Sequence, residues 1–232
     1  MSATAIIVAA GAGRRIGADI PKVFRPLCGR PMILRTLDRF FAAATIRQVI
    51  VVVAADQLAR AETLLRQDIA VRDRSWLLYT GGATRQESVR RGLERAGDDC
   101  EIIAIHDGAR PFVPPLLIDH CVEAAREKGA VVVGLPARDT IKIVREDRWV
   151  SATPPRASLW EVQTPQVFRR EIIAEAHAWA ARENIEATDD ATLVEKNGGK
   201  VFLIEGERLN FKITLPDDLW LAESLIRQGR VG

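Results

Sequence analysis

Short, nearly continuous apolar runs alternate along this chain with segments in which apolar residues recur every three or four positions. The runs are rich in β-branched residues and are predicted to be strands, at 5–9, 49–54, 76–79, 102–105, 130–135 and 201–204. Strands that are apolar on both faces are typical of a parallel sheet covered by helices. The periodic segments are predicted to be helices, near 31–43, 56–67, 84–96, 114–128, 169–183 and 216–228. This alternation predicts an α/β fold with a doubly wound, mostly parallel sheet and right-handed crossovers.

Bulk composition narrows the kinds of function that the chain can have. Its 232 residues, of which 47% are hydrophobic, are enough for one α/β domain spanning 1–232. The 33 Lys and Arg residues nearly balance the 31 Asp and Glu residues, which leaves a net charge of +2. This balance gives no support for a general nucleic-acid or membrane surface, so any anion-binding site must come from a local cluster.

Cysteine usage and the first residues predict a cytoplasmic protein. Cys28, Cys100 and Cys121 are far apart and odd in number, which favours buried thiols in a reducing compartment over disulfides or a zinc site. The N-terminal residues run directly into the first predicted strand, without the basic region and apolar stretch of a signal peptide. The longest apolar stretches, such as Val49–Ala55, are too short to span a membrane.

Residues 138–154 break the alternation and are predicted to form a projecting β-hairpin arm. Two short extended pieces, Thr140–Arg145 and Arg148–Ser151, flank the turn-like pair Glu146-Asp147. An isolated two-stranded hairpin is marginally stable in water, so the arm is expected to pack against another surface. A second copy of the chain is the simplest partner, which predicts a homodimer.

The segment from residue 9 to residue 22 carries the strongest local signal for a ligand. Glycines at 11, 13 and 17 let backbone N–H groups approach an anion closely, and Arg14, Arg15 and Lys22 add positive charge. A polyphosphate is the expected ligand. The glycine spacing is one residue too long for the dinucleotide-binding fingerprint, and no register matches the Walker A pattern. A plain surface turn with solvated arginines is the structural alternative.

An abrupt change from apolar to polar residues ends the fourth predicted strand. Ligands in doubly wound sheets bind beyond such strand ends. Asp107 could hold a magnesium ion or a hydroxyl group and Arg110 could bind a phosphate, or the two could form an ion pair that stabilises the loop. Spacing alone does not separate these alternatives. His106 is expected to point to the opposite face and to be packed rather than catalytic.

Other polar segments lie at predicted strand–helix junctions. Gly81 and Gly82 precede a helix start at Thr84, with Glu87 completing a capping box, and paired glycines can accept a flat ring against the backbone. Further polar junctions occur at 138–142, 188–190 and 210–214. Each of these segments alone is also consistent with an ordinary turn.

Taken together, these segments closely resemble the 2-C-methyl-D-erythritol 4-phosphate cytidylyltransferase family. Seven matching pieces run in family order from residue 5 to about 225, so the resemblance covers almost the whole chain. No single piece is decisive, but seven in order are highly specific. The pieces are Ala9-Ala10-Gly11-x-Gly13-x-Arg15 with Pro21-Lys22, Gly81-Gly82-x-x-Arg85-x-x-Ser88, His106-Asp107-x-Ala109-Arg110-Pro111, Arg138-Asp139-Thr140, Thr164-Pro165-Gln166-x-Phe168, Thr188-Asp189 and Asn210-x-Lys212-x-Thr214.

The resemblance implies a Rossmann-like nucleotidyltransferase that transfers CMP from CTP to 2-C-methyl-D-erythritol 4-phosphate and releases pyrophosphate. It implies Mg²⁺ as a divalent cation, with Asp107 as a candidate ligand, and a two-fold homodimer in which the arm completes the partner's site. It also implies a role for each matched residue: Arg15, Lys22, Arg138 and Lys212 as catalytic, Ala9, Ala10, Gly11, Gly13, Gly82 and Ser88 as nucleotide-binding, and Asp107, Arg110, Thr140 and Thr188 as substrate-binding. The chain departs from some members at Ala83, where they carry an acidic residue near the base and ribose.

Two other functions stay open at this point. A nucleotidyltransferase that uses another sugar phosphate or a pterin cofactor would share the first loop, although the pieces at 138–140 and 210–214 favour methylerythritol phosphate. A catalytically silent nucleotide-binding protein would keep the loop glycines without the full set of cationic residues. All four cations that the resemblance makes catalytic are present in this chain.

Overall fold

A computed structural model describes residues 2–11, 20–97 and 99–231 of the chain. The strands are β1 (Ser2–Ala9), β2 (Pro26–Leu27), β3 (Arg30–Pro31), β4 (Ile46–Val53), β5 (Trp76–Thr80), β6 (Cys100–Asp107), β7 (Ala130–Pro136), β8 (Ile143–Val144), β9 (Val150–Ala152), β10 (Trp160–Arg169) and β11 (Phe202–Glu205). The helices are α1 (Met32–Ala42), α2 (Leu58–Gln67), α3 (Arg85–Leu93), α4 (Pro115–Lys128), α5 (Arg170–Glu183), α6 (Asp190–Lys196) and α7 (Pro216–Arg227).

Seven of these strands form one sheet in the order β11-β7-β10-β6-β1-β4-β5. β1 pairs in parallel with β4 and β6, β4 pairs in parallel with β5, and β7 pairs in parallel with β11. β10 runs antiparallel to both β6 and β7. The predicted doubly wound, mostly parallel sheet is therefore confirmed, and each predicted strand and helix is present.

Side-chain alternation along the central strands builds a core on both faces of the sheet. Ile7 and Val51 are buried in the layer that includes α1 and α4. Ile6 and Ile50, one position earlier on the same strands, are buried in the layer that includes α3 and α5. Since successive side chains of a strand point to opposite faces, a strand between two helical layers must be apolar at every position. This requirement explains the continuous apolar runs of the sequence.

β10 is the main-sheet strand that the sequence pattern does not predict. Its central residues include Gln163, Thr164 and Gln166, which are polar and buried. Proline normally argues against a central strand because it cannot donate to the ladder. Pro165 is accommodated here because the pairing with β7 shifts register between Gln163 and Gln166. The buried polar side chains are hydrogen-bonded, as when Gln166 Nε2 donates to Asp189 Oδ2 at 2.6 Å.

The start of α3 is only partly the predicted capping box. Thr84 Oγ1 accepts a hydrogen bond from the Glu87 N–H at 3.0 Å, as expected of an N-cap. The Glu87 carboxylate instead accepts from the N–H of Ala83 at 2.8 Å, one residue before the cap. The side chain of Glu87 therefore stabilises the loop that precedes the helix.

The arm forms a separate two-stranded antiparallel sheet of β8 and β9, shorter than the two predicted pieces. Residues 138–153 are all exposed. Arg148 has a φ of 67°, and the Arg145 N–H donates to the Trp149 carbonyl at 2.9 Å. The turn of the hairpin therefore includes Arg148, which was predicted to be extended.

Two further expectations concern membranes and thiols. Within the part of the chain that the structure describes, no helix combines the length and the apolar character needed to cross a bilayer. Cys28, Cys100 and Cys121 are all free thiols, and the last two are buried.

Candidate active site

Segments that are distant in sequence meet in a cleft of about 440 Å³ at the carboxyl ends of β1, β5 and β6. This is the edge at which doubly wound sheets bind ligands. A larger groove, of about 920 Å³, lies between α3 and α5 at the amino end of β6 and contains none of the predicted site residues. The smaller cleft is lined by Val8, Ala9, Ala10, Gly11, Lys22, Val23, Gly82, Ala83, Thr84, Arg85, Ser88, Asp107, Ala109, Lys212 and Thr214.

Lys22 reaches this cleft from a short 3₁₀ turn, Lys22–Phe24, whose other residues are buried and anchor it. Its Nζ donates to the carbonyl of Ile213 at 2.9 Å, across 191 positions of sequence. The neighbouring residue, Lys212, also lines the cleft. The cleft is thus lined by two lysines from distant parts of the chain, and their positive charges favour binding of a polyanion.

Asp107, at the end of β6, is a carboxylate surrounded by cations. Its Oδ2 lies 2.8 Å from Lys212 Nζ and its Oδ1 lies 3.3 Å from Arg85 Nε. Arg110 Nε is 3.7 Å from Oδ2, so the Asp107–Arg110 ion pair that the sequence left open is present but is too long for a hydrogen bond. Burial raises the pKa of Asp107, but the charges of these three cations outweigh burial and hold the pKa well below its ordinary range.

Buried hydrogen bonds to β10 fix the position of the segment 210–214. Asn210 Nδ2 donates to Gln163 Oε1 at 3.1 Å and to the Thr164 carbonyl at 2.8 Å, both on β10. Arg110 Nη1 donates to the Asn210 carbonyl at 2.9 Å. Asn210 therefore anchors to the sheet the loop that carries Lys212, which gives a physical reason for that motif.

A buried ion pair that sequence reasoning missed holds Arg85 in place. Arg85 Nη1 lies 2.7 Å from Asp190 Oδ2, across 105 positions, and the Asp190 side chain is only 1% exposed. The other oxygen of Asp190 lies 3.1 Å from His177 Nε2. Burial lowers the pKa of Arg85, but the charges of Asp190 and Asp107 more than offset burial and raise it. Arg85 belongs to a matched piece and Asp190 to the polar junction at 188–190, yet no pattern in the sequence indicates that they touch.

The loop between β5 and α3 forms another wall. Ser88 is buried; its Oγ accepts from the Gly82 N–H at 3.1 Å and donates to the Thr84 carbonyl at 2.8 Å. The serine that the resemblance makes nucleotide-binding therefore also shapes the loop that it faces.

His106 is packed, as predicted, and its hydrogen bonds assign its tautomer. Its Nε2 lies 3.0 Å from the Arg110 carbonyl, which can only accept, so Nε2 carries the proton. Its Nδ1 then accepts from Thr164 Oγ1 at 3.0 Å, and this hydroxyl accepts in turn from the Asp107 N–H at 3.1 Å. Desolvation by burial lowers the pKa of His106 to about 4. A neutral His106 thus stabilises the backbone of Asp107.

This histidine predicts a pH dependence of stability. Because the pKa is about 4 in the folded protein and ~6.5 in the unfolded chain, the unfolded chain binds more protons between these values. The contribution of neutral His106 to the free energy of unfolding is therefore fully present above pH ~6.5 and is lost as the pH falls to ~4. The whole loss is about 3 kcal/mol. We expect His106→Gln to flatten the fall of the unfolding free energy over this range, measured by urea denaturation. His120→Gln, at an exposed position, is the control. An unchanged slope for His106→Gln would contradict the assignment.

Four of the predicted residues that the structure describes do not line the cleft. Arg138, Thr140 and Thr188 are exposed, and Arg110 contacts the cleft through Asp107, so the roles of all four stay predictions. Gly13 and Arg15 lie outside the described residues.

The cleft has a limited donor set for a metal. Among the residues that the structure describes, no group of three or more His, Cys, Asp or Glu side chains could hold a metal ion. Of the described residues that line the cleft, Asp107 carries the carboxylate. Mg²⁺ is commonly bound by one or two carboxylates together with substrate phosphates, and this donor set fits only that mode.

Comparison with known proteins identifies the family to which the chain belongs. The sequence model of the 2-C-methyl-D-erythritol 4-phosphate cytidylyltransferase family matches residues 3–228. The chain is 44% identical over 230 residues to a protein of that name from Syntrophotalea carbinolica, and the match covers 97% of each. A crystal structure of the Thermus thermophilus protein of the same name is 38% identical, with a TM-score of 0.79 and coverage of 98% of this chain and 100% of that one. A 4-diphosphocytidyl-2C-methyl-D-erythritol synthase from Anaerococcus prevotii has a TM-score of 0.86 at 29% identity, with coverage of 97% and 96%. The chain therefore belongs to the 2-C-methyl-D-erythritol 4-phosphate cytidylyltransferase family.

Proposed function

We propose that the cleft at the carboxyl ends of β1, β5 and β6 is the place where this chain carries out the reaction of its family. As a cytidylyltransferase, the chain transfers CMP from CTP to 2-C-methyl-D-erythritol 4-phosphate and forms 4-diphosphocytidyl-2-C-methyl-D-erythritol and pyrophosphate. A phosphate oxygen of the acceptor forms the new bond to the α-phosphorus. The bond from the α-phosphorus to the bridging oxygen breaks, and pyrophosphate leaves with the electron pair. Such transfers depend mainly on positioning and electrostatic stabilisation.

The observation that carries this placement is that Lys22 and Lys212 both line the cleft, with Lys22 hydrogen-bonded to the carbonyl of Ile213. CTP would lie with its base against Ala9, Ala10, Gly82 and Ser88 and its phosphates along the loop of Gly11 and Gly13. Arg15 and Lys22 would stabilise the charge that develops on the α-phosphate. One preorganised contact of this kind contributes about 3–4 kcal/mol to lowering the barrier.

The acceptor would occupy the side of the cleft near Asp107. Because the neighbouring cations keep this carboxylate ionised, it can only accept hydrogen bonds, which suits the hydroxyl groups of methylerythritol. Arg138 and Lys212 would align the attacking phosphate. Arg110, Thr140 and Thr188 would complete the contacts to the acceptor.

Mg²⁺ is the divalent cation that we assign to this site. Asp107 would supply one oxygen ligand, in exchange for part of its pairing with Lys212 and Arg85. When bound, the ion would offset the negative charge of the triphosphate.

We also propose a homodimer formed through the arm. The arm carries several exposed apolar side chains, among them Trp149, which is 69% exposed. Because an isolated hairpin needs support from another surface, these side chains are suited to packing against a second copy of the chain. The other exposed apolar residues of the arm and of the adjoining end of β10 are Ile141, Ile143, Val144, Val150, Trp160 and Val162. In such a dimer Arg138 and Thr140 would reach the partner's cleft. The free thiols and balanced charge support a cytoplasmic enzyme of small molecules that binds neither nucleic acid nor membranes.

The direct test is incubation of the protein with CTP, Mg²⁺ and 2-C-methyl-D-erythritol 4-phosphate. We expect equal amounts of the cytidine diphosphate product and pyrophosphate, loss of activity on addition of EDTA, and recovery with excess Mg²⁺. A panel of other sugar phosphates and a pterin alcohol, assayed for pyrophosphate release, separates the alternative acceptors. Activity that survives chelation would contradict the metal assignment, and a better acceptor in the panel would contradict the assigned substrate.

A further inference from the structure

The loop formed by Gly81, Gly82 and Ala83 uses its backbone donors inside the protein. The Gly81 N–H donates to the Val53 carbonyl at 2.7 Å, and the Gly82 N–H donates to Ser88 Oγ at 3.1 Å. The Ala83 N–H donates to Glu87 Oε2 at 2.8 Å. Three consecutive amides thus donate to acceptors within the protein, and the orientation of the loop depends on those acceptors.

One of those acceptors is itself fixed by an arginine. Arg91 Nη2 donates to Glu87 Oε1 at 2.6 Å, and Arg91 Nη1 donates to the Gly81 carbonyl at 2.8 Å. The guanidinium and the carboxylate therefore hold both ends of the loop, at Gly81 O and at Ala83 N. Two hydrogen bonds lower the pKa of Glu87: the one from the Ala83 N–H has the larger effect and the one from Arg91 the smaller. The Glu87 carboxylate is therefore ionised at neutral pH.

Close packing shows that the Glu87 side chain lies directly against the loop. A Cβ atom added to Gly82 would lie 2.1 Å from Glu87 Cδ. A Cβ atom added to Gly81 would lie 2.6 Å from Ser88 Oγ and 2.7 Å from Ala10 Cβ. Gly81 is thus required by the approach of the loop to α3 and to the end of β1, whereas a side chain at Gly82 would displace the Glu87 carboxylate.

We propose that Glu87 and Arg91 form a positioning pair that holds the nucleotide-binding loop in the geometry that binds CTP. The pair does not line the cleft, so it acts through the loop and sets CTP affinity rather than the chemical step. This inference depends on the proposed placement of the nucleotide against Gly82.

The same helix provides a matched control. Ion pairs between residues four apart are common on helices and contribute little on their own. Arg90 and Glu94 form such a pair at 2.6 Å, with side chains 43% and 53% exposed, and it involves no atom of the loop. The Arg91–Glu87 pair has the same separation of 2.6 Å and similar exposures of 41% and 30%.

The experiment compares Glu87→Ala, Glu87→Gln and Glu94→Ala by steady-state kinetics. We expect Glu87→Ala to raise the KM for CTP about 10-fold, because the Ala83 N–H loses a charged acceptor. The kcat and the KM for methylerythritol phosphate should stay within roughly twofold of the parent values. Glu87→Gln should recover part of the CTP affinity, since its amide oxygen can still accept from Ala83. Glu94→Ala should match the parent.

Arg91→Ala provides a second variant and should also raise the KM for CTP, and thermal melting shows whether each variant is folded. Equal KM values for CTP in Glu87→Ala and Glu94→Ala would overturn the proposal, as would a fall in kcat at unchanged KM. Lys22→Ala separates this failure from failure of the proposed site. If Lys22→Ala is inactive and Glu87→Ala binds CTP normally, only the positioning pair is wrong. If Lys22→Ala is fully active, the site itself is wrong and the pair loses its role as well.

Discussion

Replacing Lys22 by alanine is expected to lower kcat/KM by about 10²- to 10³-fold, the effect seen when one preorganised donor to a developing charge is removed. Lys22 Nζ is held at the cleft by the Ile213 carbonyl, at 2.9 Å, so it needs little reorganisation when the charge on the α-phosphate changes. The buried neighbours in its turn, Val23 and Phe24, are not altered by the substitution. The melting temperature should therefore stay within a few degrees of the parent value, or ~1 kcal/mol in stability.

The assay for this variant is initial-rate pyrophosphate release at several CTP concentrations, with melting followed by circular dichroism. Lys200→Ala removes the same charge from an exposed position and should behave as the parent does. A folded Lys22→Ala enzyme with the parent rate would remove Lys22 from the catalytic site.

Arg138→Ala is expected to lower kcat about 10²-fold although Arg138 lies outside the cleft of its own chain. Arg138 is exposed and does not line that cleft, so a loss of activity requires that it act elsewhere. If the arm completes the partner's site, a mixed dimer of Arg138→Ala and Lys22→Ala chains contains one site with both residues intact. Random mixing of the two inactive chains should restore about a quarter of the parent activity.

As a control, a chain that carries both Arg138→Ala and Lys22→Ala is mixed with the Lys22→Ala chain. No site in that mixture has Lys22, so no activity should return. Sedimentation velocity measures the dimer directly, and a monomer at assay concentrations would exclude a shared site. Dimers that exchange subunits without any recovery would also exclude it.

Much of the fold was predictable because it depends on neighbours in sequence. Runs such as 49–53 are apolar at every position because helices cover both faces, and that condition is visible locally. The start of α3 could be read from Thr84, since capping involves only the first turn of a helix. β10 could not be predicted, because its polar centre is stabilised by hydrogen bonds to 189 and 207 that belong to other parts of the chain.

The candidate site was likewise predictable in part: its residues could be named from the sequence, but their contacts could not. The order of its motifs identified Lys22, Gly82, Ser88, Asp107 and Lys212, and the structure brings these five together. The spacing of Asp107 and Arg110 left an ion pair and a ligand site equally open. The structure shows that Lys212 is the nearest cation to Asp107, at 2.8 Å, ahead of Arg85 and Arg110.

By itself, the amino-acid sequence determined the α/β alternation, the helix starts and the set of chemical groups available for binding a nucleotide. Periodicity and capping act over a few residues, so they can be read without coordinates. Tertiary structure alone decided which groups meet: Lys22 with the Ile213 carbonyl, Arg85 with Asp190, and Lys212 with Asp107. The physical reason is that electrostatic and hydrogen-bond energies depend on distance in space. Folding brings Lys22 and Ile213, which are 191 positions apart in sequence, and Arg85 and Asp190, which are 105 positions apart, to within 3 Å of each other.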